Sequence, residues 1–434
     1  MSDPQTMRLY YADAKLCTFT ARIVEQKAMA LSEAVPEAER VGDVVHAVRL
    51  DQTAFYPTSG GQPYDKGVLG DVPVIEVLED DEGRIWHLVA QPLESSAPVR
   101  GEIDWARRFD HMQQHSGQHL LSASCEQHLA APTVGFHLGR EASTIDLEIP
   151  DLSWDEIGVI EDDVNVVIWD NRTMAIKTLS QQQVTNADAH LGLPLRKPPT
   201  VSGDIRVILV DGYDASACGG THVSTTGEIG LLKITAVEHY KAGMRVTFLC
   251  GGRALRDYQQ AQRILQASSL TLSVGREELQ EAIARIEERE RSARRELRQL
   301  RTRLMAYEAD ALWRSAPELQ GMRVIVVYDE ERGGAEVRAL AGQLREREGT
   351  LILLAGAGDA SDSRRGLHLV VARSDDLSSI DAATILRDVA ALLGGRGGGS
   401  PSLAQGGAPP HGSEPVMAAF RRVLGQQGIE IRGQ

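Results

Sequence analysis

The most constraining feature of this sequence is a pair of short motifs that carry metal-binding side chains. His111, His115 and His119 recur at intervals of four, and Cys218 and His222 follow about a hundred residues later in ACGGTHV. Residues four apart share one face of a helix, so two neighbouring imidazoles can bind one ion. The fold must therefore bring a helix and a distant turn together.

The two motifs together predict a zinc site. Histidine pairs at this spacing also occur by chance, so the first motif alone is weak evidence. Gly219 and Gly220 allow a tight turn that brings the thiolate and the imidazole onto one ion. Histidine and cysteine ligands suit zinc best, and their separation far exceeds zinc-finger spacing. This favours a reaction site, while a closed structural site with four protein ligands is the alternative.

Zinc at such a site predicts hydrolytic chemistry. The ion lowers the pKa of a bound water to about 7 and polarises a carbonyl group. An ester carbonyl is a suitable electrophile. A catalytic site needs the fourth ligand to be loose, absent or displaced, or the ion to expand its coordination.

Composition indicates a folded protein and limits the kinds of partner that it can bind. Hydrophobic residues make up 42% and charged residues 25% of the 434 residues, and the net charge is −15. The acidic balance argues against a nucleic-acid partner unless a basic patch lies on the surface. No apolar run is long enough to span a membrane. The cysteines are too few and scattered for a disulfide framework, which predicts reduced thiols and a cytoplasmic location.

The pattern along the chain predicts an α+β fold in several regions. Residues 1–100 alternate short apolar runs with turn residues and read as a β-rich N-terminal module. Residues 101–252 mix helices and strands, with a helix over the histidine motif and a second one that Asp151 or Ser153 caps. On the first helix, Cys125 is expected in the core and His128 on the surface.

Residues 253–315 form a predicted helical spacer. Its second half carries a heptad seam formed by Leu279, Ile283, Ile286, Glu290, Ala293, Leu297, Leu300, Leu304, Tyr307 and Ala311. The helix either packs on its own protein or forms a coiled-coil arm between two copies. Its many arginines alternate with glutamates, which is typical of a solvated face, although they could also follow a phosphate backbone.

Residues 316–434 predict an α/β domain, because buried-strand runs alternate with helical patterns. The glycine-rich segment at 394–410 lies inside this domain. A flexible linker is one interpretation. We expect instead a loop whose backbone amides approach a phosphate or sugar.

Several segments resemble the editing domain of alanyl-tRNA synthetases and the free-standing alanyl-tRNA editing proteins. They are RRFDHMQQHSGQHLLSA at 107–123, ACGGTHV at 217–223, TAFYPTSGGQPYDKG at 53–67 and MRVTFLCGGRALRDY at 244–258. The glycine-rich segment at 394–407 resembles the C-terminal tRNA-contacting domain of those synthetases. The resemblance covers nearly the whole chain in the right order, and implies a zinc editing domain, a helical spacer and a C-terminal domain, without an aminoacylation domain.

The resemblance also implies roles for individual residues. It assigns one zinc ion per chain to His115, His119, Cys218 and His222. The residues expected to meet the substrate are Thr53 and Gln62 as catalytic candidates, and Gly60, Gly61, His111 and His137 as binding candidates. Thr53 would meet a serine hydroxyl; the alternative is a strand threonine with a satisfied hydroxyl. Gln62 could equally be a surface residue of a turn.

The implied activity is hydrolysis of alanine tRNA mischarged with serine. An apolar pocket for alanine rejects an added hydroxyl only about 10²-fold, whereas a site that hydrogen-bonds the hydroxyl discriminates by roughly 10⁴ to 10⁵. We therefore expect little activity on the glycine ester. The tRNA-binding candidates are Arg396, Gly397, Gly398, Gly399, Gln405, Gly406 and Gly407.

Three alternatives remain open at this point. The chain could be a homodimer through the spacer or the C-terminal domain. It could bind tRNA without hydrolysing it, with zinc only closing the fold. It could also act like the related seryl-editing module of threonyl-tRNA synthetases.

Overall fold

The computed structural model describes residues 5–30, 44–94, 96–196, 203–358 and 366–430. It has two compact units, Met1–Thr271 and Leu272–Gln434. Helices and strands are mixed in both units, which confirms the α+β class. Across the described ranges, no helix combines the length and apolar character needed to cross a membrane.

The N-terminal part of the first unit is rich in β-strands, as expected from its turn-rich sequence. Its strands are β1 (Met7–Arg8), β2 (Thr18–Ala21), β3 (Ile23–Ala30), β4 (Val44–Leu50), β5 (Gln52–Thr53), β6 (Gly67–Leu69), β7 (Val72–Glu79), β8 (Ile85–Val89) and β9 (Val99–Ile103). Seven of them form an antiparallel sheet in the order β2-β9-β6-β7-β8-β4-β3. Buried and exposed residues alternate along β9, so one face of that strand packs inward.

The rest of the first unit places a long helix against antiparallel sheets. Its elements are α1 (Trp105–Leu129), β10 (Thr133–Leu138), β11 (Ser143–Leu147), α2 (Trp154–Trp169), β12 (Met174–Leu179), α3 (Gln181–Val184), α4 (Ala187–Leu191), β13 (Ile205–Val210), β14 (Asp214–Ala217), β15 (Leu232–Tyr240), β16 (Gly243–Cys250) and α5 (Gly251–Leu272). The sheets have the orders β10-β11-β16-β15 and β12-β13-β14.

Local sequence signals explain where the two main helices begin. The Asp104 side chain accepts a hydrogen bond from the Arg107 amide at the start of α1, and Ser153 forms a capping box with Glu156 at the start of α2. Of the two predicted caps of α2, Asp151 and Ser153, the structure has Ser153. A Cβ on Gly117 would lie 2.3 Å from the Cys250 sulfur, so this glycine lets α1 approach the end of β16.

The second unit is the expected α/β domain preceded by a long helix. Its elements are α6 (Leu279–Ser315), β17 (Glu318–Leu319), β18 (Met322–Asp329), α7 (Gly334–Leu344), β19 (Thr350–Gly356), β20 (Leu367–Arg373), α8 (Ala382–Leu392), β21 (Arg396–Ser400), β22 (Leu403–Ala408) and α9 (Ser413–Gln426). The sheet order is β17-β18-β19-β20-β22-β21, with β18 and β19 parallel and the other pairs antiparallel.

The predicted glycine-rich loop is wrong, because this segment forms the antiparallel hairpin β21–β22. A Cβ on Gly397 would lie 2.8 Å from the Leu386 side chain and from the Gly406 backbone. The missing side chains thus let the hairpin lie close against α8. Glycine is usually a strand breaker, but here close packing between backbone and helix decides the structure.

The seam on α6 is exposed for most of its length. Leu279 is buried at one end. Six seam side chains are between 47% and 76% exposed: Ile283, Ile286, Leu297, Leu300, Leu304 and Tyr307. Several arginines of this helix form ion pairs with glutamates one turn away, which matches the expected solvated face.

Candidate metal centre

Four buried or half-buried side chains meet where α1 passes the turn after β14. His115 and His119 lie one helical turn apart on α1, and Cys218 and His222 follow β14. The ligand atoms of all four lie within 4.8 Å of one another. The Cys218 sulfur is 3.4 Å from His115 Nε2 and 3.3 Å from His222 Nε2. The two distant motifs are therefore brought together as the sequence predicts.

The spacing of these atoms fits a zinc ion. Tetrahedral bonds of about 2.3 Å to sulfur and 2.0–2.1 Å to nitrogen place the two ligand atoms about 3.6 Å apart. The sulfur–nitrogen distances of 3.3 and 3.4 Å are close to that value. Three imidazoles and one thiolate are also a ligand set that zinc accepts.

Two of the histidines form a hydrogen bond through their other ring nitrogen, and the third lies beside a carboxylate. His115 Nδ1 donates to Gln62 Oε1 at 2.8 Å, and His222 Nδ1 donates to Ser116 Oγ at 3.2 Å. The third pair is His119 Nδ1 and Asp214 Oδ2, 3.4 Å apart. Such outer contacts fix the ring orientation and the tautomer of metal-binding histidines.

The charges of the cluster favour the metal-binding forms of Cys218 and His222, whereas for His119 burial lowers the pKa but Asp214 and Cys218 raise it above its usual value. Burial would raise the pKa of the Cys218 thiol, but His115 and His222 hold it well below its usual value. Burial lowers the pKa of His222, so that ring is neutral. Asp214 is also buried, yet the bond to His119 and the charge of Arg196 lower its pKa to about 2.

Hydrogen bonds from Arg206 stabilise the turn between Cys218 and His222. Arg206 donates to the carbonyl oxygens of Cys218 and Gly220 at 2.7 and 2.9 Å. A Cβ on Gly220 would lie 2.2 Å from a ring carbon of His115. Gly220 is therefore required for close approach of the turn to the ring.

A buried ion pair fixes the N-terminal module against α1. Arg108 pairs with Asp65, and both side chains are at most 1% exposed. Arg108 also donates to the Ala54 carbonyl at 2.6 Å, while Asp65 accepts from the Tyr56 amide at 2.7 Å. The segment that contains Thr53 and the glycine turn is thereby held beside the metal-binding helix.

Gln62 is part of the cluster and not a surface turn residue. It is fully buried, and its oxygen also accepts from the Thr221 amide at 3.1 Å, while its amide group donates to the Thr221 hydroxyl at 2.8 Å. Gly60 and Gly61 precede it with φ values of 53° and 81°. Gly61 also accepts a hydrogen bond from the Leu138 amide, which attaches this turn to β10.

Thr53 is buried among other polar atoms. His87 Nδ1 donates to the Val48 carbonyl at 3.1 Å, so its Nε2 accepts from the Thr53 hydroxyl at 2.8 Å. The Thr53 oxygen in turn accepts from the Phe55 amide at 3.1 Å. Burial lowers the pKa of His87 to about 4, so the ring is neutral. One lone pair of the Thr53 oxygen is left for another donor.

The two remaining histidine candidates lie outside the cluster. His111 is 3% exposed, and burial together with Arg107 and Arg253 lowers its pKa to about 3. Its ring lines a separate cavity. His137 is exposed on β10. As predicted, Cys125 is buried and His128 is exposed.

A cavity of about 120 Å³ opens beside the cluster. His115, His119 and Cys218 line it together with Phe136 and Arg196. This volume exceeds that of a single water, about 30 Å³. The cluster is therefore next to space that a small group can enter.

Sequence reasoning missed the residues that orient the ligands. Ser116 and Asp214 stand close to the motifs in HSGQH and DASAC, and Asp214 could have been found from strand alternation, since it and Ser216 share one face of β14. Arg196 and Arg206 carry no local signal, because only the folded chain brings them to the turn.

The hairpin of the second unit presents part of the predicted tRNA-binding set on one face. Arg396 pairs with Gly407 and Gly398 with Gln405, and all four are exposed. A cavity of about 290 Å³ runs beside this face, lined by Gly334, Arg338, His368, Leu369, Val370, Gln405, Gly406 and Gly407. Gly397 is half-buried against Leu386 of α8, Gly406 is half-buried against the backbone of β21, and Gly399 is exposed.

Two models of known protein families match parts of this chain. Residues 205–264, which carry Cys218 and His222, match the family model described as the threonyl and alanyl tRNA synthetase second additional domain. Residues 321–426 match the model of the DHHA1 domain. The first unit thus carries a domain shared by two synthetases.

Full-length relatives define the family. The alanyl-tRNA editing protein Aarsd1 of Mus musculus is 30% identical over 360 residues, which cover 83% of this chain and 84% of that protein. The chain therefore belongs to the family of alanyl-tRNA editing proteins. The alanine–tRNA ligase of Pyrococcus furiosus is 31% identical over 416 residues. The match covers 93% of this chain but 42% of that ligase, so the chain spans about two fifths of its length.

Among solved structures, the C-Ala domain of Aquifex aeolicus alanyl-tRNA synthetase is 25% identical. It covers 25% of this chain and 97% of its own length, with a TM-score of 0.23.

Proposed function

We propose that this chain hydrolyses the ester of mischarged alanine tRNA, chiefly the serine ester, at a zinc ion. The observation that carries this proposal is the cluster of His115, His119, Cys218 and His222, in which neighbouring side chains orient all three rings. The relatives named alanyl-tRNA editing proteins support the choice of tRNA.

Zinc at these ligands would polarise the ester carbonyl or lower the pKa of a water. The chain's own residues prepare the site. Gln62, Ser116 and Asp214 hold the three rings, and Arg206 holds the turn of Cys218. Cys218 is the half-buried ligand and lines the adjacent cavity. The substrate carbonyl would enter there, beside Phe136 and Arg196.

Thr53 would distinguish serine from alanine. The Thr53 hydroxyl donates its hydrogen bond to His87, and its oxygen accepts one from the Phe55 amide. The second lone pair of this oxygen can therefore accept a hydrogen bond from a seryl hydroxyl. Thr53 is fully buried, so the segment around it must shift to admit substrate. An alanyl group would leave the shifted polar atoms without a partner, which costs about 1–3 kcal/mol for each atom. We expect little activity on the glycine ester for the same reason.

The second unit would supply affinity for the body of the tRNA. The exposed face of the hairpin carries Arg396, Gly398, Gln405 and Gly407, where a backbone without side chains leaves room for a sugar or base. A second anchor on the same RNA raises the effective concentration of the ester at the metal centre.

The exposed seam of α6 fits a homodimer through the spacer. Leucines and isoleucines at heptad spacing favour association of two helices, and five of those in the seam are about half exposed or more. Sedimentation of the full chain should show a dimer, and replacing Leu297 and Leu300 with Glu should give a monomer. A wild-type monomer at micromolar concentration would refute this part.

A tRNA-binding protein with a closed zinc site is the second candidate function. The four-ligand count favours it, because four protein ligands complete a tetrahedral site. Removal of the zinc ion with a chelator distinguishes the two functions. A structural ion should unfold the first unit when it is removed, whereas a reaction-site ion should leave the helix content largely intact.

The deciding experiment is deacylation of three esters of alanine tRNA, carrying serine, glycine and alanine. We expect zinc-dependent loss of the serine ester and little loss of the other two. Cys218→Ala and His119→Ala should abolish the reaction. His128→Ala is the matched control, because this exposed histidine lies on the same helix, outside the cluster. An inactive wild-type protein with bound zinc would refute the proposal.

The same assay with serine on threonine tRNA tests the related seryl-editing reaction. The matched family model covers threonyl as well as alanyl synthetases. We expect the alanine tRNA to be the better substrate, and a preference for threonine tRNA would contradict the proposed substrate.

A further inference from the structure

A second cavity of about 940 Å³ lies along the N-terminal part of α1. Its walls are the first two turns of α1, the turn between β10 and β11, and the start of α5. Arg107 and His111 lie two turns and one turn before His115. At 1.5 Å per residue, the stretch from 107 to 115 measures about 12 Å.

The lining of this cavity carries guanidinium groups without protein partners. Arg253 is paired with Asp110 at 2.6 Å and donates to the Gly139 carbonyl at 2.7 Å. Arg140 and Arg256 are exposed, and neither forms an ion pair with any residue in the ranges that the structure describes. The lining also carries Asp110, Glu141 and Asp257, so its four arginines face three carboxylates. On a chain with a net charge of −15, this small local excess of positive charge and the two arginines without an ion pair favour a phosphate.

A buried polar side chain also lines this cavity. His111 is 3% exposed, and its buried Nδ1 has no hydrogen-bond partner among the described residues. Buried polar atoms are nearly always paired. A turn of the ring towards the cavity would let a bound ligand supply the missing partner.

One aromatic ring, that of Phe109, belongs to the lining. Phe109 lines the cavity and stacks on Trp105, with ring centroids 5.3 Å apart and an interplanar angle of 27°. Trp105 is 37% exposed. Aromatic rings that alternate with cations are the common recognition pattern for single-stranded nucleic acid, because bases stack on the rings while arginines contact the phosphates.

We propose that this cavity binds the unpaired nucleotides that precede the esterified 3′ adenosine of the RNA. Arg140 and Arg256 contact their phosphates, a base stacks on Phe109, and His111 pairs with a sugar or base atom once its ring turns towards the cavity. This inference rests on the proposed function, since it places the strand that leads into the metal centre.

Binding of a short single-stranded RNA ending in CCA to the full chain tests the cavity directly. The double variant Arg140→Ala with Arg256→Ala should bind at least tenfold more weakly by fluorescence anisotropy. Each lost phosphate contact on a single strand lowers the salt dependence of log K by about 0.7, so the slope should become shallower by about 1.4. The matched control, Arg100→Ala with Arg263→Ala, removes two exposed arginines outside the cavity and should bind like wild type.

Steady-state deacylation separates this inference from the proposed function. The cavity variant should raise KM for mischarged tRNA about tenfold and change kcat by less than about twofold. Wild-type RNA affinity, salt slope and KM in the cavity variant would overturn the inference, even if the enzyme is active. An inactive wild-type protein would refute the proposed function, and the anisotropy result would then decide the cavity alone.

Discussion

Replacing Gln62 with Ala should weaken zinc binding through the ring of His115. The Gln62 oxygen accepts from His115 Nδ1 and from the Thr221 amide, and its amide group donates to the Thr221 hydroxyl. The substitution leaves at least two buried donors without an acceptor, which costs about 1–3 kcal/mol each. Loss of a partner that orients a metal-binding histidine typically reduces metal affinity about 10- to 100-fold.

The matched control is Gln114→Ala on the same helix. Gln114 is also fully buried, and its amide forms two hydrogen bonds with the Cys250 backbone, at 3.0 and 2.9 Å. Both variants therefore lose buried bonds and should be less stable than wild type, but only Gln62 touches a ligand. Gln62→Glu keeps an acceptor for His115 and should bind zinc more tightly than Gln62→Ala.

Competition with a chromophoric chelator measures the zinc affinity, and thermal unfolding in the same buffer measures stability. We expect a loss of at least tenfold in zinc affinity for Gln62→Ala and less than threefold for Gln114→Ala. Equal zinc affinity in Gln62→Ala and wild type would refute the orienting role. An equal loss in both glutamine variants would show that general destabilisation is the cause.

Three further changes test other parts of the structure. Gly220→Ala should abolish zinc binding, because its Cβ would lie 2.2 Å from a ring carbon of His115. Gly219→Ala should be tolerated, since its Cβ meets only Tyr11 at 3.4 Å. Metal analysis measures both variants, and equal zinc content would contradict this prediction. Gly397→Ala should lower the unfolding free energy of the full chain by about 1–3 kcal/mol through overpacking, whereas Gly398→Ala, with no atom within 4 Å, should not; equal denaturation midpoints would exclude the packing explanation. The pKa of His87 is lowered to about 4 in the folded protein, so its neutral ring contributes fully to stability above pH 6.5. As the pH drops from 6.5 towards 4, the unfolding free energy should fall by up to about 1.4 kcal/mol per pH unit. His87→Gln should flatten that part of the curve of stability against pH, and an unchanged slope would disprove the contribution.

The two motifs of the cluster could be predicted because the spacing within each is a local property, while the choice of His115 and His119 over His111 came from the family resemblance. The histidines recur on one helix, and the two glycines between Cys218 and His222 allow a turn. The structure adds Asp214, and it adds the contact of the already predicted Gln62 with His115. Gln62 belongs to a turn 53 residues from His115, so no local pattern connects the two. Such contacts depend on how the strands pair.

The glycine-rich hairpin is a case in which the local sequence led to the wrong prediction. Five glycines within 394–399 predict a loop from local preference alone. The structure forms strands because Gly397 must fit against Leu386 of α8, and tertiary packing overrides the local preference. The β-rich N-terminal region and the C-terminal α/β domain were predictable, because their apolar periodicity extends over many residues.

Titration of the metal-free protein with zinc, with seryl-tRNA deacylation followed at each step, tests the central claim most directly. The rate should rise in proportion to added zinc and level off at one equivalent per chain, and Cys218→Ala should stay inactive at every point. A rate that does not depend on zinc, or full activity in Cys218→Ala, would show that the cluster of three histidines and one cysteine does not carry out the reaction.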